Sequence, residues 1–135
     1  MIDFRKAFDT INQTILLKKL EKYGIRGLPL QIISSFLSNR SNTVRINSSF
    51  SQPKPLLLGL PQGSVLSPIL FILYINDMAK FSNSLKPVFY ADDTTLCFRN
   101  QNPAMVTQNF NLELENFLEW TNAIDFQSIS RNFNL

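Results

Sequence analysis

The sequence predicts an α+β domain, in which short strands and amphipathic helices intermix along one chain. Two apolar runs flank the adjacent acids Asp92 and Asp93, a pattern typical of a tight β-hairpin with carboxylates at its tip. Apolar residues recur at helical spacing in four other segments. With 135 residues and 44% apolar content, the chain is long enough to bury one core and too apolar for disorder.

The N-terminal part of the chain is predicted to form one strand and two helices. Residues 2–8 form the end of a strand. Asn12 caps a helix over residues 13–23, which Gly24 ends. The inward face of this first helix comprises Leu16, Leu17, Leu20 and Tyr23. Pro29 lies in the first turn of the second helix, whose inward residues are Ile32, Ile33, Phe36 and Leu37.

The middle of the chain is predicted to contain short strands and then an apolar helix. Residues 43–46 alternate as a strand, a second extended run ends at residues 56–58, and a hairpin passes through residues 48–51. Ser67 as N-cap and Pro68 at the first position begin a helix that runs to about Phe81. Its side chains Leu70, Phe71, Leu73 and Tyr74 are expected to be more covered than Asn76 and Asp77.

The last two elements are a hairpin and a helix. Residues 86–91 and 94–99 form the hairpin that carries Asp92 and Asp93. Pro103 opens a final helix. In that helix apolar residues recur at spacings of four, four and three, namely Val106, Phe110, Leu114 and Phe117.

Composition limits the chemistry and the compartment. The chain has no His and one Cys, Cys97, so it lacks the usual zinc ligands and the Ser-His or Cys-His hydrolase groups, and it forms no internal disulfide. A metal would be held by carboxylate oxygens, which favours Mg²⁺ or Mn²⁺. A single thiol fits a reducing, intracellular compartment, nuclear or cytoplasmic. The apolar run over residues 69–75 is far shorter than the roughly 20 residues of a membrane helix.

Positive charge is concentrated in the N-terminal half. Residues 1–54 carry nine Lys or Arg and three acids, whereas residues 55–135 carry four and seven. Such a basic half beside an acidic site would suit a nucleic-acid backbone. Arg40 and Arg45 are the candidates for phosphate contact. The lysines at positions 18, 19 and 22 are interpreted instead as a solvated helix face.

Three segments, in this order, resemble the palm of a reverse transcriptase. They are Asp3-Phe4-Arg5-Lys6-Ala7-Phe8-Asp9, Gly59-Leu60-Pro61-Gln62-Gly63-Ser64-Val65-Leu66-Ser67-Pro68 and Tyr90-Ala91-Asp92-Asp93. The family strings D-x-x-K-A-F-D-T, G-x-P-Q-G-S-x-L-x-P and F-A-D-D-T belong to non-LTR (LINE-type, jockey-like) retrotransposons. The resemblance covers residues 3–123 and implies an antiparallel palm sheet with helices packed on one face.

The resemblance also implies a function, RNA-directed DNA synthesis by two-metal nucleotidyl transfer. Asp3, Asp92 and Asp93 would be the catalytic metal ligands for two Mg²⁺ ions, with Mn²⁺ as the alternative. Such an enzyme takes an RNA template, a DNA primer and deoxynucleoside triphosphates.

The nucleotide pocket is expected at four further positions. The resemblance makes Phe8 the gate against the sugar 2′-hydroxyl, while a core Phe is the simpler interpretation. Because Asp3 and Phe8 are an odd number of residues apart, the chain must bend between them for both to line one pocket. Ala7 fits a close backbone approach. Gln62 and Gly63, in a Gly-rich loop, would contact sugar or base.

Departures from the family pattern indicate a fragment truncated at both ends. Residues 1–123 correspond to a partial palm, without fingers, thumb or endonuclease segments, so the isolated chain is expected to be inactive. Residues 124–135 form a divergent tail. Codons can be chosen for residues 124–131 such that one additional base before them, together with the first two bases of the Asn132 codon, yields N-R-F-S-I-N-I-S-K. This is a family-like continuation, which makes a frameshift the hypothesis for the tail.

Two alternatives remain beside the polymerase interpretation. One is a non-catalytic remnant whose fold survives with at most nucleic-acid binding. The other is a relative of group II intron maturases or telomerase. This second alternative is disfavoured because residues 63–66 and 91–94 match the LINE type better.

Overall fold

The computed structural model describes residues 2–4, 6–80, 82, 85–90, 93–98, 106–125 and 129–130. Strands and helices intermix in the predicted manner, so the α+β class is confirmed. The strands are β1 (Ile2–Phe4), β2 (Ser41–Asn42), β3 (Arg45–Ile46), β4 (Ser49–Phe50), β5 (Lys54–Pro55), β6 (Leu85–Tyr90), β7 (Asp93–Phe98) and β8 (Ile129–Ser130). The helices are α1 (Gln13–Lys22), α2 (Leu28–Leu37), α3 (Leu66–Ile75) and α4 (Val106–Ala123), and a 3-10 helix over Asn76–Lys80 follows α3.

A four-stranded antiparallel sheet has the order β6-β7-β1-β8. The predicted hairpin is confirmed, since β6 and β7 pair from Leu85 opposite Phe98 to Tyr90 opposite Asp93. Both strands begin and end one residue earlier than the predicted ranges 86–91 and 94–99, so Asp93, predicted at the tip, lies in β7. Residues 91 and 92 lie outside the described residues. The other strands form two-residue pairs, β2 with β5 and β3 with β4.

The helix α1 begins as its capping residue predicts. The Asn12 side chain accepts hydrogen bonds from the backbone N–H groups of Thr14 and Ile15, which satisfies two otherwise unpaired donors. Leu16 and Leu20 are fully buried, but Tyr23, predicted to face inward, is 39% exposed. The prediction that Tyr23 faces inward is wrong because this residue is the C-cap, where the helix ends and the chain turns.

The second helix begins near Pro29 as predicted and is only partly buried. Leu37 is buried, whereas Ile32, predicted to face inward, is 59% exposed. The expected strand over residues 43–46 is reduced to Arg45–Ile46, and Val44 and Ile46 are also exposed. The alternation there is real in the sequence, but the two-residue pairs of this region have no layer packed against them among the described residues.

The helix α3 begins one residue earlier than its predicted N-cap. Ser67 lies inside the helix, where its hydroxyl donates to Pro61 O at 2.5 Å, so its predicted capping role is wrong. The N-cap is Val65, which has no side-chain capping bond, and the Ser64 Oγ before it accepts from Leu66 N at 3.2 Å. The α-helix ends at Ile75 and continues as the 3-10 helix to Lys80, short of the predicted Phe81, which lies outside the described residues.

One core joins the helices. Its largest fully buried side chains are Ile11, Leu16, Leu20, Leu37, Leu70, Phe71, Tyr74, Met78 and Phe117. Helix α1 packs against α2 and α3, and Phe117 brings α4 into the same cluster. The predicted burial of Leu70, Phe71 and Tyr74 is confirmed, although Ile69 and Ile72 of the same run are exposed. Pro103, the predicted opening of the last helix, lies outside the described residues.

Candidate nucleotide and metal site

Two of the acid-bearing segments are neighbours in the sheet. Strand β1 pairs with β7 so that the Cα of Asp3 is the direct partner of the Cα of Asp93. Opposite residues of an antiparallel pair have Cα atoms about 4.5 to 5.5 Å apart. Asp92 and the side chains of Asp3 and Asp93 lie outside the described parts of the structure. The sequence required these strands to be neighbours, and the backbone register meets that requirement.

The strand β1 ends at Phe4 and residues 6–9 form a turn, so the predicted strand over residues 2–8 is too long. The turn supplies the bend that Asp3 and Phe8 would need in order to line one pocket. Lys6 has a φ of 57°, in the left-handed region that few non-glycine residues adopt. Its carbonyl accepts from the N–H groups of Asp9 at 2.8 Å and Thr10 at 3.2 Å, which closes the turn. Ala7 is buried at 3% exposure, and Phe8 is half-buried. The Phe8 ring stacks on Phe71 of α3, with 4.7 Å between ring centroids.

The glycine-rich loop that begins at Gly59 lies directly on this turn. Gly59 N donates to Ile11 O at 2.8 Å, and Leu60 N donates to Phe8 O at 2.7 Å. A Cβ atom at position 59 would lie 2.8 Å from Asp9 O and 2.9 Å from Phe8 O, closer than real Cβ contacts allow. Gly59 also has a φ of 80°. Only glycine therefore permits both this conformation and this close backbone approach.

The carbonyl of Gly59 is held by two side chains from other elements. Arg40, after the end of α2, donates from its guanidinium to Gly59 O at 2.6 Å, and Gln13 of α1 donates to the same oxygen at 3.1 Å. The Arg40 Nε donates to Leu37 O at 3.1 Å. Arg40 thus ties α2 to the loop, an arrangement that sequence patterns alone did not suggest. Its phosphate contact stays a prediction.

Arg45, the other predicted phosphate contact, lies in the exposed two-residue strand β3. Its Nε donates to Asn47 O at 3.0 Å, and its guanidinium lies 5.5 Å from the Phe50 ring centroid. These contacts are local to the β3–β4 hairpin. They leave its role in binding nucleic acid a prediction.

Gln62 is oriented by an acid that the sequence analysis did not select. Its Nε2 donates to Asp9 Oδ1 at 2.8 Å. This contact places the amide nitrogen of Gln62 against Asp9 and leaves its carbonyl oxygen available to a donor. Asp9 belongs to the same motif as Phe8, and its position at the end of a turn gave no sign of this contact.

Gln62 lies between two clefts. One has a volume of about 500 Å³ and is lined by Phe8, Gln62, Gly63, Ser64, Val65, Ser67 and Pro68. The other has a volume of about 620 Å³ and is lined by Asp9, Arg40, Asn42, Leu56, Leu58, Gly59, Leu60, Pro61 and Gln62. Three of the four predicted nucleotide positions therefore share the first cleft, namely Phe8, Gln62 and Gly63. The fourth, Ala7, is buried in the core and does not line it.

The donor set for a metal is carboxylate oxygen, since the chain has no His and one Cys. Among the side chains that the structure describes, no three acids or Cys form a group able to hold a metal. The paired positions Asp3 and Asp93 fit a metal site by backbone register and by ligand chemistry.

A charge pair joins α1 to the 3-10 helix, away from the residues that line the clefts beside Gln62. Lys19, predicted to be solvated, is only 9% exposed, which corrects that prediction. Its ammonium donates to Asp77 Oδ1 at 2.7 Å and to Tyr74 O at 2.6 Å. Desolvation by burial lowers the Lys19 pKa, against the opposing effect of Asp77. Apolar spacing on α1 could not reveal this, because the partner comes from the 3-10 helix.

Tyr74 is the second perturbed group of this region. Its ring is completely buried, and its hydroxyl donates to Ile124 O. Desolvation raises the pKa of Tyr74 to about 12. The contact joins α3 to the end of α4 and therefore has a structural role.

None of the helices in the described ranges is long and apolar enough to cross a membrane.

Comparison with known proteins identifies one family over most of the chain. The family model for reverse transcriptase (RNA-dependent DNA polymerase) matches residues 1–126. The RNA-directed DNA polymerase from mobile element jockey of Drosophila melanogaster is 29% identical over 126 residues, which are 88% of this chain and 14% of that protein. The probable polymerase from transposon X-element of the same organism is 32% identical over 105 residues, covering 74% of this chain and 11% of that protein.

A third relative, the probable RNA-directed DNA polymerase from transposon BS of Drosophila melanogaster, is 31% identical over 110 residues, covering 72% of this chain and 11% of that protein. The chain therefore spans about one seventh or less of the length of these curated relatives, at 14%, 11% and 11%.

Proposed function

This chain belongs to the reverse transcriptase family of RNA-dependent DNA polymerases, and we propose that it is part of the palm of such an enzyme from a non-LTR mobile element. Residues 1–123 would be the partial palm, with its helices on one face of the sheet, and residues 124–135 a divergent tail. The activity of the longer protein would be RNA-templated DNA synthesis in an intracellular compartment. Its partners would be an RNA template, a DNA primer and deoxynucleoside triphosphates.

The observation that carries this proposal is the register of β1 with β7. Asp3 lies directly opposite Asp93, next in sequence to Asp92, although the two segments are far apart along the chain. Nucleotidyl transfer requires carboxylates brought from separate strands to one place. Asp3, Asp92 and Asp93 would hold two divalent ions, Mg²⁺ or alternatively Mn²⁺. When bound, such ions stabilise the charge on the attacking and leaving oxygens.

The nucleotide would lie in the cleft beside the Lys6–Asp9 turn. The Phe8 ring is held in place by stacking on Phe71, and its edge would exclude a ribose 2′-hydroxyl. Ala7 keeps the turn compact because a larger side chain has no room at a position only 3% exposed. Gly63, with a φ of 81° and no atom within 4 Å of a Cβ added there, would leave space for the ligand.

Gln62 would contact the sugar or base through its free carbonyl oxygen. Asp9 supports this role because it accepts from Nε2 and thereby orients the amide. Gly59 and Arg40 would affect the nucleotide indirectly, through the loop. They hold the loop that carries Gln62 against the backbone of Phe8 and Asp9, so they would be positioning residues for the nucleotide cleft.

A segment exchange tests the proposed function. Residues 1–123 of this chain would replace the matching segment of the jockey polymerase, and incorporation of deoxynucleotides on a primed RNA template would be measured. We expect activity that disappears with Asp92→Asn and persists with Glu119→Gln, an exposed acid on α4. Equal loss with both substitutions, or incorporation that survives Asp92→Asn, would contradict the assignment.

A further inference from the structure

A third cleft lies between α1, the 3-10 helix and α4, and it shares no lining residue with the two clefts beside Gln62. It has a volume of about 600 Å³. Its lining residues are Ile15, Lys18, Lys19, Lys22, Tyr23, Asp77, Lys80, Trp120, Ala123 and Ile124. We call it the lysine cleft, after the four lysines among these residues.

The charge of the lysine cleft is not balanced by the protein. Asp77 is its single acid and is already paired with the buried Lys19 at 2.7 Å. Lys18, Lys22 and Lys80 are exposed and form no ion pair with any acid in the described ranges. Three like charges around one concave surface repel one another, and a bound anion would relieve that repulsion.

Stabilisation of the helix α1 explains only part of this arrangement. Lys19 and Lys22 lie in its last turn, where cations interact favourably with the helix dipole. Lys18 lies before that turn, and Lys80 comes from a different element at the end of the 3-10 helix. The convergence of lysines from two elements on one cleft is therefore not accounted for by helix capping.

The walls of the cleft favour a nucleic-acid strand over a simple anion. Tyr23 is 39% exposed at the end of α1. The Trp120 indole also lines the cleft from α4, but it packs on Phe117 with 6.0 Å between ring centroids, and the Lys19 ammonium lies 5.6 Å from its centroid, so we assign stacking to Tyr23. Phosphates suit ammonium donors, and bases stack on aromatic side chains with little dependence on sequence. An acidic peptide would form ion pairs with the lysines but would offer no base to stack on the Tyr23 ring.

We propose that the lysine cleft is a second nucleic-acid site, which binds the phosphates of a single strand through Lys18, Lys22 and Lys80. Tyr23 provides the stacking surface, and Trp120 lies in the wall beside it. The buried pair of Lys19 and Asp77 joins α1 to the 3-10 helix, so that lysines from both elements line one cleft. Binding here is separate from nucleotide binding and from metal, so it goes beyond the proposed catalytic role.

Trp120 makes the proposal directly testable, because it is the single tryptophan of the chain and lines the cleft. A single-stranded 12-nucleotide RNA would be titrated into the unmodified 135-residue chain in EDTA, which removes divalent ions and with them any binding at the carboxylates. We expect quenching of the tryptophan emission and a parallel rise in anisotropy of the labelled RNA. No quenching at low salt overturns the proposal.

Charge variants then locate the contact. Lys18→Gln with Lys22→Gln should weaken binding and reduce the slope of log K against log salt by about 1.4, since each phosphate contact on a single strand contributes roughly 0.7. The matched control, Lys54→Gln with Lys86→Gln, removes two exposed lysines outside the cleft. Its affinity and slope should stay close to those of the unmodified chain. Equal losses in both double variants would mean non-specific attraction and would overturn the site.

Two further measurements complete the test. Lys80→Gln repeats it from the other wall of the cleft, and circular dichroism verifies that each variant keeps its helices. Poly-glutamate serves as the competing polyanion. If it quenches Trp120 as strongly as RNA does at equal charge, the cleft binds acidic protein and the proposal is wrong. A cleft that binds RNA while the segment exchange yields no polymerase would refute the proposed function alone.

Discussion

The close approach of Gly59 to the Phe8–Asp9 backbone gives the most demanding prediction for stability. In Gly59→Ala, the new Cβ would lie 2.8 Å from Asp9 O, 2.9 Å from Asp9 Cα and 2.9 Å from Phe8 O. All three atoms belong to backbone, so no side chain can move aside. The φ of 80° adds a conformational cost of about 1 to 2 kcal/mol for a residue with a Cβ. Displacing the packed backbone costs roughly 1 to 3 kcal/mol more.

The expected loss in the free energy of unfolding is therefore about 2 to 5 kcal/mol, a large part of the total of 5 to 15 kcal/mol that is usual for a domain. Gly63→Ala is the matched control, because Gly63 has a φ of 81° but nothing within 4 Å of an added Cβ. Urea unfolding followed by Trp120 fluorescence would measure both variants. If Gly59→Ala is no less stable than Gly63→Ala, the loop does not lie on the turn and the reasoning is refuted.

Three other substitutions follow from the same structure. Asp77→Asn should lower the free energy of unfolding by about 2 to 3 kcal/mol, because it leaves the buried Lys19 ammonium without its charged partner. In the same urea titration, Lys19→Met should lower the free energy of unfolding by less, because it leaves no buried charge. The raised pKa of Tyr74 makes stability depend on pH. Its contribution of at most about 3 kcal/mol is fully present below the unfolded pKa of 10.0 and is lost as the pH rises through about 12. The free energy of unfolding should therefore fall more between pH 9 and pH 12 in the unmodified chain than in Tyr74→Phe. In the segment exchange with the jockey polymerase, Phe8→Ala should keep DNA synthesis while admitting ribonucleotides, and unchanged discrimination between the two sugars would remove Phe8 from the gate.

The elements that follow local rules could be predicted from the sequence. Asn12 caps α1 because a short amide side chain can reach the first free N–H groups of a helix. The β6–β7 hairpin follows from two apolar runs on either side of adjacent acids, with strand bounds one residue earlier than predicted. The bend after β1 is different, because strand patterning alone predicts a strand over residues 2–8, and a bend is expected only if Asp3 and Phe8 line one pocket, as the family resemblance implies.

Contacts between distant segments could not be predicted in this way. Lys19 was assigned to solvent because three lysines on one helix usually are exposed, but its partner Asp77 lies 58 residues further along the chain. Arg40 was selected for phosphates, and the structure shows three backbone carbonyls around its guanidinium. The orientation of Gln62 by Asp9 likewise depends on how a loop and a turn dock. Each depends on tertiary packing that no local pattern encodes.

The central claim is that Asp3, Asp92 and Asp93 form one metal site, and paramagnetic Mn²⁺ tests it on this chain directly. In nuclear magnetic resonance spectra of the ¹⁵N-labelled protein, substoichiometric Mn²⁺ should broaden the amide signals of β1 and β7 around Asp3 and Asp93 before any others. Asp92→Asn should weaken this effect, and Glu119→Gln should not. Broadening that begins at the acids of α4, or that Asp3→Asn and Asp92→Asn leave unchanged, would contradict the claim.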